Sequence, residues 1–238
     1  MKATKNVGES IKAPNAGWRF AGDVPKSFDD HVAKSVPLYA LGHDLVVGLS
    51  DFFLSDASVC YELGCSTGAL TKKIADHNKE KGIEAIGIDV EADMIKFARL
   101  SCKDSTVSFI QEDIVDVELQ KCDMVVAYYT LQFVKPKFRQ LVIDRIYQAL
   151  NWGGAFLMFE KVRACDARFQ DIMSTLYVDY KLEQGYNAEQ IVAKTRSLKG
   201  VLEPFSTQGN TDLLRRAGFV DLMTVMKYVC FEGYLAIK

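Results

Sequence analysis

No stretch of the 238-residue sequence approaches the roughly 18 uninterrupted apolar residues of a membrane span. The polar run from Met1 to Ser10 likewise lacks the apolar core of a secretory signal. Both absences point to a soluble, cytoplasmic chain with no membrane contact. Cys60, Cys65, Cys102, Cys122, Cys165 and Cys230 form no Cys-x-x-Cys pair, and several sit inside apolar runs. They read as reduced, structural thiols rather than a disulfide framework. His31, His43 and His77 are isolated from one another and from the cysteines, so no metal is expected. Charge of one sign is also missing: 29 basic against 31 acidic residues leave a net charge of −2. The broad basic footprint of a nucleic-acid binder is absent, as is any basic stripe interleaved with aromatics, which favours a small-molecule ligand. Repeats and low-complexity segments are lacking as well. What remains is a chain 49% hydrophobic and 25% charged, long enough for a self-sufficient core in one large or two small domains.

Along the chain, residues 1–25 read as an irregular lead-in. Helical spacing runs from Ser27 to about Leu54, with Pro37 forcing a break. Val59–Leu63 is a short apolar run ending at a glycine-bearing turn, the first strand. A helix follows from Thr67 to about Lys79, then a strand over Glu84–Asp89, a helix over Ala92–Cys102 and a strand over Val107–Gln111. Asp123–Tyr128 is continuously apolar, the pattern of a strand buried on both faces. Phe138–Leu150 is helical and is stopped by Asn151-Trp152-Gly153-Gly154, after which Ala155–Phe159 is the fifth strand. The segment 165–200 is mostly helical. Thr211–Ala217 is a final helix with Gly218 as its C-cap, and strands near 219–228 and 230–237 close the chain. Strands alternating with helices of about a dozen residues predict an α/β, Rossmann-like, mostly parallel sheet of seven strands. The last two strands are joined too tightly for a crossover and should form an antiparallel hairpin at the sheet edge. The whole chain, 1–238, reads as one domain with an N-terminal helical flap (1–55) and a helical insertion (165–200).

The first strand-to-helix turn reads Glu62-Leu63-Gly64-Cys65-Ser66-Thr67-Gly68. In an open parallel sheet, ligands bind beyond the carboxyl ends of the strands, near this turn. Gly64 permits the sharp reversal, Ser66 keeps it small and Gly68 allows close approach of the helix. It has one glycine fewer than a dinucleotide fingerprint, and taken alone it is equally a plain tight turn. Asp89, about 20 residues past the helix start, stands where an acid accepts hydrogen bonds from both ribose hydroxyls. Asp113 follows the third strand, where an adenine amino group would be read. Each acid alone is more often solvated surface. The three features together resemble the class I S-adenosylmethionine-dependent methyltransferases.

Longer stretches are more specific: Tyr61 to Ser66, Met124-Val125-Val126, Thr130-Leu131-Gln132-Phe133, and Ile146-Tyr147-Gln148 through Leu150-Asn151 to Gly153-Gly154. Ser35-Val36-Pro37 with Tyr39, Glu160-Lys161, Gly185-Tyr186 and Arg196-Ser197 add to them. Together, from about residue 18 onward, they resemble the carboxy-S-adenosylmethionine synthase family. The resemblance implies a cofactor seat of Tyr39, Gly64, Cys65, Ser66, Asp89, Val90, Asp113, Ile114 and Tyr128, holding S-adenosyl-L-methionine or its carboxylated form. It implies Arg196 as the catalytic cation, clamping the product's new carboxylate. It also implies that prephenate loses carbon dioxide and its ring hydroxyl to give phenylpyruvate. The S-adenosylmethionine methyl carbon, acidified by the positive sulfur, captures the carbon dioxide for tRNA wobble-uridine modification. Two positions depart from the pattern. Tyr128 stands where the family carries a small amide, and Leu182 follows Lys181 where a second basic residue is expected. A small-molecule methyltransferase and a non-catalytic S-adenosylmethionine-binding module therefore stay open. The resemblance further implies a homodimer; Phe169, Tyr177, Tyr180 and Tyr186 of the insertion would form its interface or, equally, a lid over the site.

Overall fold

The computed structural model describes residues 4–9, 11–20, 22, 24–103 and 106–238; residues 1–3 and 10 of the polar N-terminal stretch lie outside it. The lead-in is not wholly irregular, because β1 (Lys5–Asn6) and β2 (Lys12–Ala13) pair antiparallel. The flap helices α1 (Val24–Ser35) and α2 (Tyr39–Ser50) flank Pro37, as the sequence predicts, and Leu38 makes the turn in the left-handed region at φ 58°.

The seven-stranded sheet is built from β3 (Val59–Leu63), β4 (Glu84–Asp89), β5 (Val107–Gln111), β6 (Cys122–Tyr128), β7 (Leu150–Lys161), β8 (Asp221–Tyr228) and β9 (Phe231–Ile237). Its order is β5-β4-β3-β6-β7-β9-β8, parallel throughout except for β9, which runs against both neighbours. The terminal hairpin is therefore at the edge, with the later strand lying inside the earlier one. Helices α3 (Ala69–His77), α4 (Ala92–Ser101), α5 (Pro136–Ala149) and α8 (Thr207–Ala217) connect or cover the strands. The insertion forms α6 (Ala167–Glu183) and α7 (Ala188–Ser197), with no strand between them.

Alternation along β6 divides the core. Val125 and Ala127 join Phe156 and the inner face of α5 on one side of the sheet. Met124 and Val126 join Leu157, Ile74 of α3 and Val46 of α2 on the other. Period-two alternation with both faces covered explains the uninterrupted apolar run.

Two boundaries differ from expectation. β7 starts at Leu150 rather than after the glycines, because Cys122 pairs Leu150 before the register shifts to Met124 against Ala155; Asn151 to Gly154 fill that irregularity. α8 starts at Thr207, earlier than Thr211, because Ser206 caps it by accepting the Gly209 N–H at 3.1 Å. Among the described residues no helix is long and apolar enough to cross a membrane.

Candidate functional site

β3 is flanked by β4 on one side and β6 on the other, so the chain leaves it in opposite directions and opens a crevice at the carboxyl ends of these strands. Over that crevice lies a cavity of about 980 Å³, walled by the strand ends and roofed by α1, α2, α6 and α7. Gly64 (φ 74°), Ser66 (φ 49°) and Gly68 (φ 76°) take the left-handed conformations that curl the turn. A Cβ on Gly64 would lie 2.4 Å from Thr130, so only glycine lets the turn sit against the loop after β6. The Gly64 and Cys65 amides both donate to the Ile88 carbonyl, at 2.7 and 3.0 Å. The flap is tied to the same turn, since the Thr67 hydroxyl donates to Asp29 at 2.8 Å.

Asp89 ends β4 and is only 8% exposed. Its Oδ2 accepts the Ser66 N–H and its Oδ1 the Glu91 N–H, each at 2.9 Å. Burial raises its pKa, against the pull of these backbone donors. Val90 adds a third backbone donor, which leaves the carboxylate acceptor capacity for a ribose hydroxyl. Exposed Val90 and buried Ile114 both line the cavity, offering apolar faces to a flat ring, with Asp113 beside Ile114. Asp113 accepts the Val115 N–H at 2.9 Å, which holds its carboxylate at that rim. Cys65 lines the floor with its thiol pKa pushed well up by burial, so the thiol stays neutral. The structure brings these residues together along one cavity, and their donors, acceptors and apolar faces fit S-adenosylmethionine.

Tyr39 and Tyr128 also line the cavity, but the Tyr128 hydroxyl is not free to donate to a ligand. That hydroxyl donates to the Tyr39 carbonyl at 2.7 Å, and a Cβ on Gly42 would lie only 2.1 Å from it. Tyr128 thus bridges β6 to α2, its ring 5.1 Å from Tyr39 and 4.7 Å from His43. It contributes an aromatic wall in place of the amide contact that the family pattern implies.

Arg196 does not reach the cavity. Gln190, Ile191, Lys194, Thr195 and Leu198 of α7 and the turn after it line the cavity, whereas Arg196 is exposed and absent from the lining. At about 100° per residue, position 196 points roughly 200° away from position 194. Within the single chain Arg196 is therefore not brought to the cavity with the other predicted residues; its visible tie is the backbone carbonyl, which accepts the Ala16 N–H at 2.9 Å.

Several further residues line the cavity that the sequence reading did not assign to the site. Glu62 is buried, its pKa pushed up to about 8, and it accepts the Thr71 hydroxyl. Lys161, at the end of β7, and Lys181, on α6, both lie over the Tyr177 ring, and Lys194 sits over the Trp18 ring. Trp18 Nε1, His31 Nε2, His43 Nε2 and the Tyr129 hydroxyl belong to cavity-lining residues and are buried without a hydrogen-bond partner among the described residues. His31 and His43 have pKa values lowered to about 4, mainly by burial, and are neutral. The lining acids (Glu62, Asp89, Glu91, Asp113, Asp116) all stand at or just beyond the ends of β3, β4 and β5, with Arg145 among them donating to the Val115 carbonyl. The wall of β7, α6 and α7 carries Lys161, Lys181 and Lys194 and no acid. No group of three or more metal-ligating side chains occurs among the described residues.

Comparisons with known proteins agree with this geometry. The family profile described as "Methyltransferase domain" matches residues 61–154. A carboxy-S-adenosyl-L-methionine synthase of Staphylococcus epidermidis is 34% identical over 222 residues, covering 93% of this chain and 97% of the relative. Its counterpart from Campylobacter lari is 37% identical over 224 residues, covering 93% and 94%. Among solved structures, the pyocyanin biosynthetic protein PhzM superposes with a TM-score of 0.65 at 17% identity, over 92% of this chain and 59% of that one. Human N-acetylserotonin methyltransferase in complex with SAM gives 0.58 at 18% identity, over 84% and 52%. The chain thus spans between half and three-fifths of those two structures, and the likeness is one of fold.

Proposed function

This chain belongs to the carboxy-S-adenosyl-L-methionine synthase family, within the methyltransferase superfamily, and on that premise we propose that it converts S-adenosylmethionine and prephenate to carboxy-S-adenosylmethionine, phenylpyruvate and water. The product would serve tRNA wobble-uridine modification, made in the cytoplasm with no RNA contact by this protein. The observation that carries the reading is the sorting of charge in the cavity. Acids stand where a nucleoside is held, and ammonium groups stand where a second, anionic substrate would meet it. Bound S-adenosylmethionine supplies a methyl group acidified by the adjacent positive sulfur. In the balanced reaction, carbon dioxide and the ring hydroxide leave prephenate, the hydroxide and a methyl proton become water, and the carbon dioxide carbon bonds to the methyl carbon.

The chain's own residues have three tasks in this scheme. Asp89 orients the ribose through the acceptor capacity its backbone bonds leave open. Tyr39, Tyr128, Tyr129 and Phe231 give an apolar wall that excludes water from the reacting atoms. The lysines hold the dianion against that wall. Methyl transfer to an anionic small molecule is the second reading. It is favoured by Tyr128, which stands where the family pattern implies a small amide and whose hydroxyl donates to the Tyr39 carbonyl. Incubation with S-adenosylmethionine and prephenate followed by mass spectrometry separates the two. Phenylpyruvate together with a product one carbon dioxide heavier than S-adenosylmethionine supports the synthase. Formation of neither refutes it, and S-adenosylhomocysteine with a methylated acceptor supports the second reading.

The same proposal includes a homodimer. Phe169, Ile172 and Leu176 are about half exposed on one face of α6, at the i, i+3, i+7 spacing of a helical stripe. Tyr177 and Tyr186 instead line the cavity and act as lid. Light scattering at micromolar concentration tests the dimer, and a monomeric mass refutes it.

A further inference from the structure

Of the 17 residues of α6, only one is buried, and it is Lys181. A surface helix normally buries apolar side chains and leaves lysine in water. Lys181 instead turns inward, its Nζ 4.4 Å from the centre of the Tyr177 ring. Lys161, the last residue of β7, places its own Nζ 4.1 Å from the same ring and 5.7 Å from the Phe231 ring. Tyr177 is held in place because its hydroxyl donates to the Ser35 carbonyl at 2.7 Å. Two ammonium groups thus share one fixed aromatic surface inside the cavity.

Neither makes an ion pair among the described residues. The neighbouring acid in sequence, Glu160, points to the other face of β7, where Arg139 lowers its pKa against burial. Cys230 is the one anionisable group whose charge would favour both ammoniums, and burial holds its thiol protonated. The lysines also work against each other: after burial, Lys161 is the largest cause of the lowering of the Lys181 pKa to about 8. Two buried like charges with no internal counterion and a cavity in front of them are arranged for an external anion. Tyr177 and Phe231 give the anion an apolar, ring-shaped neighbour.

We infer that Lys161 and Lys181, mounted on the Tyr177 ring, form a carboxylate subsite for an anionic co-substrate that carries its carboxylate beside an apolar ring. Identifying that co-substrate with prephenate rests on the reaction proposed above; the subsite itself does not. Its test uses protein loaded with S-adenosylhomocysteine and titrated with phenylpyruvate and, separately, with malonate, comparing wild type, Lys161→Met, Lys181→Met and Lys181→Arg by calorimetry. Each Met variant is expected to weaken both carboxylates at least tenfold, with S-adenosylmethionine affinity within threefold of wild type; Lys181→Arg keeps most of the binding. Removal of an unpaired buried charge should leave the fold intact; if a Met variant does not fold, Lys161→Gln and Lys181→Gln carry the same comparison. Lysine-dependent malonate binding without phenylpyruvate binding sustains the subsite and defeats the prephenate assignment. Carboxylate affinities unchanged in both variants, or no carboxylate binding by the wild type, overturn the subsite.

Discussion

Replacing Asp89 by Asn should separate cofactor binding from folding, because the carboxylate helps one and burdens the other. In the wild type its two oxygens each accept one backbone N–H at 2.9 Å, from Ser66 and Glu91. Asn keeps a single acceptor oxygen and turns an amino group toward one of those donors. One or two charge-assisted bonds to the ribose are then lost, at about 1.5–3 kcal/mol each. S-adenosylmethionine affinity should drop roughly ten- to a hundredfold for a single lost bond. The folding side has the opposite sign. Burial raises the Asp89 pKa, so the folded protein holds that proton more tightly than the unfolded chain, and the ionised form weakens the fold at neutral pH. A neutral Asn removes that burden while giving up one backbone bond of about 1 kcal/mol, so Tm should stay within about 2–4 °C of wild type. For the wild type, S-adenosylmethionine affinity should fall on acidification from a higher pH than an ordinary aspartate would give. Calorimetric titration and scanning calorimetry on the same preparations read both quantities. Asp89→Asn binding S-adenosylmethionine within threefold of wild type would refute the assignment of the ribose seat.

Other expectations follow from single contacts. Arg196→Leu should change S-adenosylmethionine binding and turnover less than threefold, since the side chain lies outside the cavity; a tenfold loss in either assay would show that Arg196 does reach the ligand. Gly64→Ala places a Cβ 2.4 Å from Thr130 at φ 74°, and should lower Tm by several degrees and abolish cofactor binding; an unchanged melt counts against the packed turn. Tyr128→Phe loses the hydroxyl bond to the Tyr39 carbonyl, about 1 kcal/mol, or a Tm drop of about 2–4 °C with cofactor affinity retained. Glu62 and Glu160 both have pKa values raised to about 8, so the folded state keeps protons that the unfolded chain releases from about pH 4.5 upward. Stability should therefore decline as pH rises between those limits, and Glu62→Gln with Glu160→Gln should flatten the profile measured by urea unfolding.

The parts of the molecule that were legible in the sequence are those in which a local pattern decides the outcome. The β6 run is apolar on consecutive residues because both sheet faces are covered, and Gly64 and Gly68 mark the left-handed positions of the turn. Asp89 follows because a strand of known register must end beside that turn. Illegible were the features whose cause lies elsewhere in the chain. By pattern alone Lys181 is a charge on a solvated helix; Tyr177 lies one turn before it, but nothing in α6 records that Lys161 of β7 stands over the same ring. The exposure of Arg196 was not legible either, because neighbouring positions of a helix differ by about 100° and the resemblance names a residue without naming the face it takes. The start of β7 depended on a register shift against β6, and the two-residue ladder of β1 and β2 is too short to leave a period.

The position of β9 has a consequence for how the chain is made. β9 is the last of the seven strands to leave the ribosome, yet it lies between β7 and β8 and closes the flank of the sheet. At 5–20 residues per second, about 4–15 s pass between the emergence of Lys161, which ends β7, and of Ile237, which ends β9. Throughout that interval the β7 edge, with Phe156, Leu157, Met158 and Phe159, has no partner on its outer side. That edge is an open template for pairing with another nascent chain. Slower synthesis past residue 161 therefore lengthens the exposure of this edge.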